Sequence, residues 1–272
     1  RGLFINTNTN EIVARAYDKF FNINEMSTTK INVLKNRFKF PIDVYVKYNG
    51  FLGILGYDTE TDSLLINSKS QLDGKYATIF KNVLEQKKIN LDALKYFLRE
   101  NKCSMVFEVI EPKKDPHIIK YEESKAVLLD VIDNTIEFKK KKYEELIEIA
   151  NKFGLEVKEK ATTLKSSQEF FNWYYSILQD GYKYKGQEIE GFVIEDKDNF
   201  MVKIKLNYYN KWKQLRYVLY TVKKQGYIKR TSSLGTKLSN DFYNFCRENR
   251  EKLPENIIEA REMFYDLSDN VE

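Results

Sequence analysis

Lysines interrupt the apolar strands of this chain, and few folds tolerate that. In VYVKYNGFLGILGY, residues 44–57, apolar residues alternate around Lys47, with Asn49 and Gly50 just after it. In MVKIKL, residues 201–206, Lys203 and Lys205 stand two apart, so both amines lie on one face of a strand. Glu108 stands inside the apolar run CSMVFEVIE, and Glu190 and Gly191 open the strand text EGFVIED. A single lysine of this kind can guard an edge strand against aggregation. Three lysines and two glutamates on strand faces exceed that need. They require a bound polyanion, such as a nucleotide phosphate, or a structural network of ion pairs.

The remaining text reads as α+β. GLFI and EIVAR flank the polar turn NTNTN as a hairpin, and SLLINSKS follows the turn DTETD. VYVKYNG and FLGILGY form two strands separated by a glycine turn, and CSMVFEVIE and KAVLLDVID are central strands. EGFVIED and FMVKIKL form a late hairpin. KKKKYEELIEIANKFG reads as a helix ending at Gly154. SSQEFFNWYYSILQDG reads as a helix from a capping box, Ser166 to Glu169, to Gly181. Its aromatic residues 170–175 have the spacing of a core face. Beyond residue 206 strand alternation stops and three helical stretches follow. The expected division is a sheet-based domain, 1–206, and a small helical domain, 207–272.

Composition narrows the chemistry. The chain has 272 residues, 42% hydrophobic and 14% aromatic, which suits a globular fold with a sizeable core. Its net charge of +5 is compatible with a nucleic-acid partner without establishing one. There is one histidine, His117, in a loop-like stretch, and there are two distant cysteines, Cys103 and Cys246. This argues against zinc sites, histidine triads and a disulfide framework, and favours an intracellular, reducing compartment. No apolar run approaches the roughly 20 residues that span a bilayer. Nucleophilic or acid–base chemistry must come from Lys, Glu, Asp or Tyr. A lysine amine serves as a nucleophile once it is neutral.

The series KYNG (47–50), FEVI (107–110), EGFVI (190–194) and VKIK (202–205), taken in order, resembles the nucleotidyltransferase motifs shared by ATP-dependent ligases and mRNA capping enzymes. The upstream text RGLFI…IVARAYDKFFNINE (1–25) resembles the signature of the phage RNA ligase and fungal tRNA ligase branch. The C-terminal text is similar to the helical end of the tRNA ligase adenylyltransferase domain. Asn49 stands where most of the superfamily has aspartate. Arg1 already belongs to the signature, so residues are expected before it.

The resemblance implies a lysyl-AMP intermediate, AMP transfer to an RNA 5′-phosphate, and sealing by a 3′-OH, with Mg²⁺ or Mn²⁺. It implies Lys47 as nucleophile and Lys203 and Lys205 on the α-phosphate, where they and a divalent metal would lower the Lys47 pKa. Glu190 is expected beside the Lys47 amine or on the metal through water, and Glu108 on the ribose 2′-OH. Arg1, Lys19 and Lys69 are expected on ribose or phosphates, with Phe21 packed behind Lys19. The Val46 backbone is expected near the base edge, and Asn49, Gly50 and Gly191 around the nucleotide. Tyr209 is a candidate for the phosphate network. The implied partner is RNA with 5′-phosphate and 3′-OH ends, including broken tRNA, with no membrane. Kinase and phosphatase modules would heal the ends, since no Gly-x-x-x-x-Gly-Lys-Ser/Thr motif occurs here. The rivals are a capping guanylyltransferase, a DNA ligase, and a catalytically silent RNA-binding homologue.

Overall fold

The polar turn after Asn6 joins β1 (Leu3–Asn6) and β2 (Glu11–Arg15) into an antiparallel hairpin. The Asn6 side chain accepts from the Asn8 N–H at 2.9 Å, an asparagine turn that needs no outside support. The computed structural model describes residues 2–228 and 235–269. After the hairpin come β3 (Phe21–Asn22), α1 (Ile31–Arg37), β4 (Ile42–Lys47), β5 (Phe51–Asp58), β6 (Ser63–Ser68), α2 (Lys75–Gln86) and α3 (Leu91–Asn101). Next are β7 (Cys103–Ile110), β8 (Lys125–Asp133), α4 (Tyr143–Phe153), β9 (Glu156–Val157), β10 (Lys160–Leu164) and α5 (Ser167–Ile177). The chain continues with β11 (Gly191–Asp196), β12 (Met201–Lys205), α6 (Asn207–Gln225), α7 (Lys237–Glu248) and α8 (Ile257–Asp269).

Two five-stranded sheets carry the fold, in the orders β10-β4-β11-β12-β3 and β6-β5-β7-β8-β9. Most pairings are antiparallel, and the short strands β3 and β9 join the edges in parallel. The fold is therefore α+β, as the text predicts. The two strands on either side of the glycine turn in KYNG do not pair with each other. β4 and β5 belong to different sheets, and residues 48–50 carry the chain from one to the other. That short crossover holds the end of β4 beside the second sheet.

Each sheet has its own helical cover. The second sheet buries Leu55, Met105 and Phe107 against Phe80 and Leu84 of α2, Leu94 of α3 and Leu146 of α4. The first sheet buries Val44, Phe192 and Ile204 against Leu34 of α1 and Phe170 of α5. Between the sheets, Ile54, Val106 and Ile132 of one meet Met201 of the other and Ala14 of the hairpin. Helices α6–α8 form a further core around Trp212 and Phe242, joined by Ile118 and Ile119 from the loop before β8.

Sequence reading missed α1, α2 and α3 in a half of the chain that looks strand-rich. In α3, Leu91, Leu94 and Leu98 follow helical spacing, and Asn90 caps the start by accepting from the Ala93 N–H at 3.0 Å. Helix α4 ends at Gly154 as expected. Helix α5 ends at Ile177, short of Gly181. Ser166 caps it, but Glu169 reaches the Lys165 N–H, one residue before the reciprocal partner of a capping box. The aromatic run is core: Phe170 is fully buried, and Trp173 packs edge-on against Phe192.

Phe192 is fully buried, with Trp173, Tyr182 and Tyr184 around its ring. Phe192→Ala is expected to destabilise the fold by about 3–5 kcal/mol, read as a lower urea midpoint. An unchanged midpoint would mean that the first sheet does not depend on this packing.

Candidate active site

Strand register assembles the site. Gly191 of β11 lies opposite Lys47 of β4 on one side and opposite Lys205 of β12 on the other. The residue before it, Glu190, therefore reaches both amines. Its Oε1 is 3.1 Å from Lys47 Nζ and 2.9 Å from Lys205 Nζ. The carboxylate is almost wholly buried and its other oxygen, Oε2, accepts from Asn49 Nδ2 at 3.0 Å.

Asn49 is itself fixed from behind. Its Oδ1 accepts from the N–H groups of Ile118 and Ile119 at 3.0 and 3.1 Å, and its own N–H donates to Tyr121 Oη at 2.9 Å. Two donors on Oδ1 leave only one sensible amide orientation, with Nδ2 towards Glu190. An aspartate here would set a carboxylate oxygen against Glu190 Oε2, which accounts for asparagine in this chain.

The charges respond to this packing. Burial pushes the Glu190 pKa up, but Lys47 and Lys205 outweigh it and hold the carboxyl below its usual range. Burial pushes the Lys47 ammonium down, but Glu190 and Glu108 outweigh it and its pKa stands above that of an ordinary lysine. The lowering expected from Lys203, Lys205 and a phosphate-bound metal concerns the nucleotide-bound state. Without nucleotide, Lys205 shares Glu190 with Lys47, and the carboxylate dominates. Glu108 is pushed up, chiefly by burial, and its Oε1 accepts from the Gly50 N–H at 2.8 Å.

Lys47 opens onto a cavity of about 180 Å³ between the two sheets. Lys19, Lys69, Lys203 and Glu108 also line it, and Leu52, Leu129, Val193 and Met201 give it apolar walls. Such a cavity suits a flat apolar group carrying negative charge. Lys19 lies 4.7 Å from the centre of the Phe21 ring, and Lys203 donates to the Phe20 carbonyl at 3.3 Å. Val46 lines the cavity, but its N–H donates to the Glu159 carbonyl and is not available to a base. Lys205 lies within 3.4 Å of Tyr209 Oη. Arg1 lies outside the described residues.

The two glycines have a different role from the one expected. A Cβ on Gly50 would lie 2.0 Å from the Val109 carbonyl oxygen, and one on Gly191 would lie 1.9 Å from that of Ile204. Both are required by the protein's own backbone, and neither lines the cavity.

Sequence reading missed a second buried ionic group. Asp130 pairs with Lys140 at 3.1 Å and Lys158 at 2.9 Å, and Glu195 pairs with Lys140 at 2.7 Å. Tyr17 Oη donates to Asp130. Lys158 also lines the cavity, and burial lowers its pKa. The near-continuous apolar run KAVLLDVID placed Asp130 in a strand, but nothing in the text paired it with lysines 10 and 28 residues away.

Among the described residues, no group of three or more His, Cys, Asp or Glu is placed to hold a metal ion. Both Glu190 oxygens already have protein partners. A hydrated Mg²⁺ or Mn²⁺ held mainly by phosphates needs no such protein cage, and this donor set does not conflict with one. Among the described residues, no helix is long and apolar enough to cross a membrane.

Solved structures share the fold: an archaeal ATP-dependent RNA ligase matches with a TM-score of 0.57 at 15% identity, over 96% of this chain and 63% of that one. A Naegleria gruberi RNA ligase variant with ATP and Mn matches with a TM-score of 0.54 at 14% identity, over 71% of this chain and 57% of that one. A family model described as RNA ligase matches residues 1–209, and the chain belongs to that family. The tRNA ligase of Candida albicans is 26% identical over 223 residues, 71% of this chain. The chain spans 26% of that relative's length.

Glu190→Gln removes the carboxylate shared by two largely buried ammonium groups, leaving Lys205 without its counter-charge and Lys47 with Glu108 alone, so a loss of roughly 3 kcal/mol at neutral pH is expected. The native Glu190 pKa is depressed, so its stabilisation is present above the unfolded value and is lost as pH falls through the native one. Urea unfolding of both proteins from pH 7 to pH 3 should show the gap closing on the acid side. A gap independent of pH would remove the carboxylate charge as its cause.

Proposed function

We propose that this chain is the nucleotide-transferring part of an ATP-dependent RNA ligase, with Lys47 as the residue that becomes covalently adenylylated. The carrying observation is the Lys47–Glu190–Lys205 cluster, with Lys47 lining a cavity that Lys19, Lys69 and Lys203 also line. In the first step the neutral Lys47 amine bonds to the α-phosphorus of ATP. The bond to the β-phosphate oxygen breaks, pyrophosphate leaves and the amine loses a proton. AMP then passes to an RNA 5′-phosphate. A 3′-OH attacks that activated end and AMP departs.

Lys203 and Lys205 are assigned to the α-phosphate, where they offset charge as it shifts to the leaving group. Lys19 and Lys69 are assigned to the outer phosphates and Glu108 to the ribose 2′-OH. A bound Mg²⁺ or Mn²⁺ would supply further charge neutralisation on the phosphates. Glu190 holds the Lys47 ammonium in place before the nucleotide arrives. Once Lys203 and Lys205 engage phosphate, the field that keeps Lys47 charged weakens.

Residues 1–206 are assigned to nucleotide transfer, and 207–272 to a helical unit. The substrate reading is RNA with 5′-phosphate and 3′-OH ends, including broken tRNA, with separate modules healing the ends. Similarity to a tRNA ligase supports it.

The test is incubation with α-labelled ATP or GTP and a divalent cation, followed by a denaturing gel. A band with ATP alone is expected, absent in Lys47→Ala. Retained labelling in that variant would displace Lys47 as nucleophile, and labelling by GTP would indicate capping chemistry. No label on a folded chain free of prior AMP would favour a silent RNA-binding homologue. Because the Lys47 pKa is raised, the neutral fraction and the labelling rate should climb as pH rises from 7 to 9. A flat profile would mean that deprotonation of Lys47 does not limit the step.

A further inference from the structure

Arg261 of α8 is buried, yet no carboxylate among the described residues pairs with it within 4.0 Å. Glu188 feels its charge from beyond pairing distance, but burying a cation without a contacting carboxylate is costly, and an aliphatic residue would fill the space more cheaply. The guanidinium is held instead against the rings of Tyr208 and Trp212, 5.3 Å from each centre. From there Nη1 donates to the Ile118 carbonyl at 3.0 Å.

That carbonyl and the Ile119 N–H belong to one peptide unit. Its N–H side donates to Asn49 Oδ1 at 3.1 Å, and Asn49 Nδ2 donates to Glu190 at 3.0 Å. Glu190 holds Lys47. From Arg261 to Glu190 the hydrogen bonds run in one direction, so each polarises the next, and Lys47 donates to the same carboxylate from its other side. The same loop is tied to α8 again by Lys120 and Glu262 at 2.8 Å, and to the nucleophile's loop by Tyr121 and the Asn49 N–H.

We infer that Arg261 is a positioning residue for the covalent step, through which the helical unit sets the place of Glu190 and so of the Lys47 amine. This rests on the reading of Lys47 as the nucleophile. The helices beyond residue 206 are then part of the catalytic geometry, beyond any contact they make with RNA.

The test compares single-turnover labelling by ATP in the wild type, Arg261→Ala, Arg261→Lys, Asn49→Ala and the Arg261→Ala/Asn49→Ala pair. Arg261→Ala should slow labelling at saturating ATP by about tenfold, with half-saturation unchanged. Lysine should recover part of the loss. If the two residues act in one chain, the double variant should be no slower than Asn49→Ala alone. Wild-type rates in a folded Arg261→Ala, or losses that multiply in the double variant, would overturn the inference. If Arg261→Ala does not fold, Arg261→Lys and Arg261→Gln carry the same comparison.

Amide hydrogen exchange at Ile119 needs no activity. It should speed up at least about tenfold in Arg261→Ala, or in Arg261→Gln should the alanine variant not fold, while β5 and β7 stay protected. Unchanged exchange would break the chain at its first link. Failure of the wild type to label would count against the proposed function and leave the exchange result to decide this inference.

Discussion

Glu190 sits between two lysine amines, 3.1 and 2.9 Å away, with an asparagine amide on its other oxygen. A buried carboxylate in this position is stable only because every partner is in place. The partners come from distant parts of the chain: β4, the crossover after it, and β12. Strand register delivers the two lysines, and the loop at Ile118–Tyr121 fixes the asparagine. Gly191, placed between Lys47 and Lys205, makes the ladder tight enough for one carboxylate to reach both.

The two sheets build the cavity by not being joined as a hairpin. The crossover at 48–50 leaves β4 in one sheet and starts β5 in the other, so Lys47 lies at the seam. Gly50 is needed there because the Val109 carbonyl lies where a side chain would be. Apolar residues from both sheets line the space beyond, with lysines around them. The unliganded state holds Lys47 charged, and the pocket's positive field favours the phosphates that would relieve it.

The helical C-terminal unit is coupled to this seam at two points. Tyr209 approaches Lys205, and Arg261 approaches the loop that fixes Asn49. Ile118 and Ile119 pack among the helices while their N–H groups serve Asn49. The loop thus belongs to the helical core by its side chains and to the site by its backbone.

The text by itself determined the α+β class, the N-terminal and late hairpins, the helix ending at Gly154 and the helical C-terminal stretch. All of these rest on local periodicity and turn chemistry. It also marked Lys47, Glu108, Glu190, Lys203 and Lys205, because charges inside apolar strands stand out against a pattern of period two. Helices α2 and α3 were legible in principle, since Leu91, Leu94 and Leu98 carry the spacing. Only the tertiary structure decided that β4 and β5 part company, that Gly50 and Gly191 answer to the protein's own carbonyls, and that Asp130 meets Lys140 and Lys158. It alone set the sign of the Lys47 shift, because that depends on which charge lies nearest, and the nearest is a glutamate 143 positions along the chain. Local sequence fixes periodicity and propensity, whereas long-range pairing fixes distance, and electrostatics follows distance.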